Sequence, residues 1–219
     1  MTNPQTAFAD VQRALTSLAD ASQAEPMAAY MKHQFAFLGV KSTPRRQAVR
    51  SILARRLLDW PLIWDCWEAE EREYQYVACD HLLRHRFPAA QLESLRELIV
   101  TKSWWDTVDN LAKVAGTTLP EGNAVLREWA TDDNMWVRRA AIICQVTRPA
   151  DTELLTFAIE HNLPDDSEHS PYSNEFFIRK AIGWALRDHA RRDPEWVRDF
   201  VRDHELAPLS QREALKHLS

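Results

Sequence analysis

Residues 136–142 have the sequence WVRRAAI, and the same pattern returns at 177–183 as FIRKAIG, 41 residues further along the chain. A weaker echo, QREAL, occupies 211–215. In the two stronger copies an apolar face can pack against a neighbouring helix while the adjacent basic pair points away from it. A period near 40 residues is typical of two-helix repeats that stack into a solenoid. Chance similarity between two amphipathic helices is the alternative interpretation.

The rest of the chain has the same helical character. Apolar residues recur at spacings of three and four, and no alternating apolar run is flanked by hairpin turns. Only 4 of the 219 residues are glycine, and the 11 prolines are spread between apolar segments, so no linker divides the chain. We therefore predict an all-α fold, a curved superhelical solenoid of HEAT-like antiparallel helix pairs forming one domain over 1–219. The predicted helices are 5–20, 25–38, 44–58, 60–68, 71–86, 88–101, 104–115, 121–131, 134–147, 151–161, 174–191, 194–203 and 209–217.

Charge and cysteine usage limit the possible functions. The net charge of -5 does not by itself indicate a nucleic-acid-binding protein. The basic residues are nevertheless clustered, which permits a basic stripe on an acidic protein, although solvated helix faces would give the same pattern. The three cysteines are widely spaced in apolar text, and the chain has neither a signal-peptide pattern nor a long apolar span. We predict a cytoplasmic protein that does not enter a membrane.

Residues 101–109, TKSWWDTVD, hold the candidate site. Ser103 and Asp106 have the spacing of a capping box, which assigns Asp106 to the start of a helix. Asp109 lies four residues after Trp105, so the indole and the carboxylate share one helical face. An aromatic ring beside a carboxylate attracts a cation. An ordinary amphipathic helix with Trp104 in the core is the alternative.

A metal site is not predicted. His81 and His85 are four residues apart on a helix, a spacing that zinc can use. No HExxH or CxxC motif accompanies them. We expect neither a metal nor a cofactor.

The sequence resembles the AlkD-like DNA alkylation repair family, the HEAT-repeat alkylpurine DNA glycosylases. The strongest similarity is the TKSWWDTVD stretch, and the other similar stretches follow in the family's order along nearly the whole chain. They are 25–32, 37–39, 45–47, 134–141, 180–187 and 206–210.

The resemblance implies that Asp109, Trp105 and Trp184 are catalytic and that Arg139 contacts the DNA backbone near the lesion. Tyr30 matches an aromatic position at the edge of the family's cleft. Further phosphate contacts are expected from basic residues, namely Arg138, Arg179, Lys180, Arg187, Arg45 and Arg46. The turn before the last two departs from the family's pattern, because Lys41-Ser42-Thr43-Pro44 shifts the Thr-Pro step.

The implied reaction is hydrolysis of the N-glycosidic bond of purines alkylated at N3 or N7 in duplex DNA, leaving an abasic site and using no base-flipping pocket. Alkylation makes the base cationic, so it leaves without needing a proton, and one anion near the sugar suffices. The second carboxylate of ordinary glycosidases is then unnecessary. We expect a monomer, and the sequence does not rank the possible lesions.

Two other classes stay open. A non-catalytic HEAT scaffold could bind damaged or branched DNA, or a protein, in the same cleft. A protein-binding solenoid without DNA affinity would have an acidic or apolar concave face. The joint presence of Trp105, Asp109, Arg139 and Trp184 favours the enzyme.

Overall fold

The computed structural model describes residues 4–54, 56–164 and 171–218. Within these ranges it contains thirteen α-helices and no strand, which confirms the all-α prediction. A short 3-10 helix lies at Ala89–Gln91. No helix in the described part of the chain combines the length and the apolar character that a membrane crossing requires. The helices are α1 Pro4–Thr16, α2 Ala21–Tyr30, α3 Ser42–Leu53, α4 Trp60–Glu68, α5 Arg72–Leu82, α6 Leu92–Val100, α7 Trp105–Gly116, α8 Asn123–Ala130, α9 Met135–Ile143, α10 Thr152–Glu160, α11 Phe176–His189, α12 Pro194–Asp203 and α13 Pro208–Ala214.

The chain divides into two compact units, Met1–His85 and Arg86–Ser219. In the first unit, α1 packs against α3 and α4, and α5 packs against the same two helices. In the second unit, α7 contacts α9, α9 contacts α11, and α11 contacts α13. The intervening helices pack against this row, as stacked helix pairs require. The second unit holds the whole TKSWWDTVD stretch and both copies of the 41-residue repeat.

Helix α2 differs from its predicted position at 25–38. It begins after Asp20, whose carboxylate accepts the backbone N–H of Ser22 at 2.9 Å, and it ends at Tyr30. The chain leaves the helix at residues 32 and 33, whose backbone φ angles are positive, 57° and 54°. Further on, the buried Glu73 carboxylate accepts the backbone N–H groups of Leu38, Gly39 and Val40 at 2.9–3.0 Å, which fixes the segment that leads to α3.

The repeat has a structural basis. Arg138 donates from Nε to the carbonyl of Asp132 at 2.5 Å, and Arg179 donates from Nε to the carbonyl of Ser173 at 3.0 Å. In both copies the first basic residue folds back onto the carbonyl six positions earlier. The second basic residue of each copy, Arg139 or Lys180, lines a cleft instead. The two positions of the basic pair therefore have different roles.

Close packing explains the glycine inside α11. A Cβ atom added at Gly183 would lie 2.6 Å from Cβ of Glu213 and 2.9 Å from the carbonyl oxygen of Ser210. Both distances are shorter than carbon and oxygen atoms tolerate, so only glycine lets α13 approach α11 this closely.

Candidate functional site

A cleft of about 320 Å³ in the second unit brings together all four residues favoured by sequence. Helix α7 contributes Trp105 and Asp109, α9 contributes Arg139, and α11 contributes Trp184. Three successive members of the helix row thus each present side chains to one space. The remaining lining residues come from α11, and they are Phe176, Phe177, Lys180 and Arg187.

Asp109 and Arg139 form a two-pronged ion pair. Nε of Arg139 lies 2.8 Å from Oδ1 of Asp109, and Nη2 lies 3.0 Å from Oδ2. The Asp109 side chain is 15% exposed and that of Arg139 only 4%. Nη1 of Arg139 also donates to the carbonyl of Phe177 at 2.6 Å, which ties the pair to the start of α11. Bidentate pairs of this kind fix the carboxylate's orientation.

The pKa of Asp109 is subject to opposing effects. Burial raises the pKa of this carboxyl above its ordinary value, while the charge and hydrogen bonds of Arg139 oppose the rise. The guanidinium therefore favours the anionic form inside the cleft. Sequence reasoning assigned Arg139 to the DNA backbone and missed this contact, because the 30-residue separation gives no local pattern.

An aromatic cluster supports the cleft. Trp104, Trp136 and Phe177 pack together with ring centroids 4.9–5.7 Å apart. Trp136 and Phe177 begin the two copies of the repeat, so the repeat itself would have pointed to Phe177. Phe176, beside it, is 57% exposed and was also missed. An exposed phenylalanine at a cleft provides apolar contact area for a ligand.

The capping box predicted for α7 is wrong. The helix begins one residue later than that pattern requires, with Trp104 at its N-cap and no side-chain cap. The Ser103 hydroxyl instead donates to the carbonyl of Ile99 at 2.6 Å, at the end of α6. Asp106 is buried in the first turn, where a negative charge is favoured by the helix dipole.

Two of the arginines predicted to contact phosphates donate hydrogen bonds to other groups of the protein. Arg138 is 4% exposed, and its guanidinium donates to the carbonyls of Thr131, Asp132 and His161. Burial and these carbonyl partners give Arg138 a structural role, and its expected phosphate contact stays a prediction. Arg179 also donates locally, to Ser173 and Asn174, although it is less buried.

The predicted residues of the first unit differ in exposure. The Arg45 side chain is 6% exposed, pairs with Asp80 at 3.0 Å and lies over the Tyr76 ring. Its expected phosphate contact stays a prediction. Arg46 pairs with the same aspartate at 3.1 Å but is 63% exposed. Tyr30 is 69% exposed at the end of α2.

Lys180 and Arg187 line the cleft and share one acidic partner. Nζ of Lys180 lies 2.8 Å from Oε1 of Glu213, and Nη1 of Arg187 donates to Oε2 of the same residue. These two cations hold the pKa of Glu213 below its ordinary value. Glu213 belongs to α13 and was not predicted as a site residue.

Among the described residues, no group of three or more His, Cys, Asp and Glu side chains is suited to holding a metal ion. His81 packs edge-on against His85, with ring centroids 4.7 Å apart. Burial lowers the pKa of His81 to about 4.

Comparison with known proteins identifies the family of this helical chain. Residues 11–218 match the model of a family described as DNA alkylation repair enzymes. A solved structure described as a predicted DNA alkylation repair enzyme from Enterococcus faecalis is 32% identical, with a TM-score of 0.80. The match covers 92% of this chain and 97% of the other. A comparison with curated proteins gives no match. The chain belongs to the DNA alkylation repair enzyme family.

Proposed function

We propose that this protein is a DNA glycosylase that removes cationic N3- or N7-alkylated purines from duplex DNA. The observation that carries the proposal is the partly buried Asp109–Arg139 pair at a cleft flanked by Trp105 and Trp184. The pair supplies one oriented anion between aromatic surfaces. This arrangement suits a reaction in which positive charge develops on a sugar.

The chemistry follows from the charge of the substrate. The bond between C1′ of the deoxyribose and the purine nitrogen breaks, and its electron pair neutralises the cationic base, which leaves without a proton. Positive charge passes to the sugar, where the Asp109 carboxylate stabilises it. A water oxygen then bonds to C1′ and loses a proton to Asp109 or to solvent, giving an abasic site.

The other cleft residues have supporting roles in this proposal. Arg139 keeps Asp109 anionic and oriented, and Trp105 and Trp184 hold the sugar and backbone in place. The exposed Phe176 adds apolar contact area at the same cleft. Because recognition rests on backbone and sugar, a base need not enter a tight pocket, unlike in most glycosylases. Duplex DNA is the proposed partner, and the proposed active form is a monomer.

The test is single-turnover release of N7-methylguanine or N3-methyladenine from duplex DNA by wild type and Asp109→Asn. We expect the substitution to slow excision by about tenfold or more, with little change in DNA affinity. Asp199→Asn is the matched control, since Asp199 is 59% exposed and pairs with the nearby exposed Arg202. Unchanged excision by Asp109→Asn would refute the assignment. Binding without excision by the wild type would instead favour the non-catalytic scaffold.

A further inference from the structure

Glu213 forms ion pairs with both of the α11 cations that line the cleft, Lys180 and Arg187. Lys180 and Arg187 are seven residues apart on α11, so they lie on one face two turns apart. Glu213 bridges them with its two carboxylate oxygens, and its side chain is 14% exposed. The side chains of Lys180 and Arg187 are 38% and 20% exposed. The Glu213 side chain is therefore less exposed than that of either cation.

The bridge depends on the backbone beneath it. Gly183 lies between the two cations on the same face, and Cβ of Glu213 sits where a Cβ of residue 183 would be, 2.6 Å away. The Ser210 hydroxyl donates to the carbonyl of Arg179 at 2.8 Å, which fixes α13 against α11. The packing of the two helices thus places this one carboxylate between two cations that line the cleft.

A carboxylate between two cations resembles a DNA phosphate in charge and in its acceptor oxygens. A cation that stays paired within the protein neutralises no phosphate and releases no counterion from the DNA, so it contributes less to affinity and to salt dependence. We propose that Glu213 is an intramolecular competitor of DNA phosphates, which restrains the binding of Lys180 and Arg187 to the backbone of undamaged duplex. This inference rests on the proposed function, because it requires the cleft to bind DNA.

The experiment measures the affinity of wild type and Glu213→Gln for an undamaged duplex at several salt concentrations. Glutamine keeps the size of the side chain and removes its charge. We expect affinity at about 0.1 M salt to rise about tenfold, and the slope of log K against log salt to steepen by about 0.9 for each additional phosphate that the cations neutralise. A purely structural role for Glu213 would not steepen this slope.

Two controls separate the effect from net charge and from folding. Glu195→Gln removes the same charge from a side chain that is 76% exposed, and it should leave the slope unchanged. In a Lys180→Gln/Arg187→Gln background, Glu213→Gln should give no increase in affinity, because no cation is released. Thermal unfolding of each variant shows whether it is folded.

The outcomes distinguish this inference from the proposed function. Unchanged or weaker binding by folded Glu213→Gln, while the wild type binds DNA and excises, would overturn the role of Glu213 alone. An increase in affinity that persists in the double-variant background would overturn it as well. Wild type that binds DNA without excising would overturn the glycosylase proposal and leave the Glu213 result to be judged on affinity. Absence of DNA binding by all variants would overturn both.

Discussion

Without Arg139, the surroundings of Asp109 would favour its neutral, protonated form. Burial raises the pKa of the carboxyl, and the paired guanidinium of Arg139 opposes that rise. The proposed chemistry requires the anion. At the scale of single residues, Arg139 is therefore the positioning residue on which the charge of Asp109 depends.

Replacing Arg139 should change the pH dependence of excision. In Arg139→Gln the opposing charge is absent, so the pKa of Asp109 rises further. Because activity requires the deprotonated form, the loss of activity on acidification should begin at a higher pH than in wild type. Single-turnover excision measured against pH, after subtraction of uncatalysed base loss, tests this.

The control for that profile is Arg13→Gln, which removes an arginine that is 77% exposed in the first unit. Its acid limb should coincide with that of the wild type. An acid limb in Arg139→Gln that stays in place or moves to lower pH would show that Arg139 does not support the charge of Asp109.

At the scale of helices, the basic pairs of the two repeats are divided between structure and site. Arg138 is buried among carbonyl groups, whereas the neighbouring Arg139 pairs with Asp109 in the cleft. Arg179 and Lys180 show the same division with more exposed side chains. In each copy, the first basic residue thus binds a carbonyl just before its helix, and the second is a cation that lines the cleft.

This division predicts unequal stability effects. Arg138→Gln removes a buried guanidinium and leaves carbonyls of three residues without it, so we expect a loss of about 2–4 kcal/mol in the free energy of unfolding. Arg179→Gln, the matched change in the second repeat, should cost about 1 kcal/mol because this side chain is less buried. Denaturant unfolding measures both. Equal losses, or a folded Arg138→Gln with a weakened salt dependence of DNA binding, would contradict the structural role of Arg138.

Helices could be predicted because their periodicity is local, whereas the roles of the four cleft residues came from the family resemblance. The spacing of Trp105 and Asp109 placed them on one face of α7, and the repeat pointed to α9 and α11. Errors arose where distant contacts decide. Glu73 holds the backbone of residues 38–40 from 33 or more positions away, and Glu213 reaches Lys180 only because α13 packs on Gly183. Neither contact leaves a pattern in nearby sequence.

At the scale of the molecule, acidic partners explain how a chain of net charge -5 can carry clustered cations. Arg139 is paired with Asp109, Lys180 and Arg187 with Glu213, and Arg45 and Arg46 with Asp80. Such pairing makes the composition a poor guide to DNA binding. We expect Lys180 and Arg187 to contact DNA by exchanging Glu213 for phosphates, while Arg139 stays paired with Asp109.

The proposed reaction depends on the charge of the substrate, because the cleft supplies an anion and the leaving base supplies the rest of the activation. The most direct measurement is single-turnover excision by the wild-type protein from two otherwise identical duplexes, one containing cationic N7-methylguanine and the other neutral hypoxanthine. We predict release of N7-methylguanine well above its uncatalysed loss and no release of hypoxanthine, because a neutral purine needs a proton to leave. Comparable release of hypoxanthine, or no release of N7-methylguanine, would contradict the proposed mechanism.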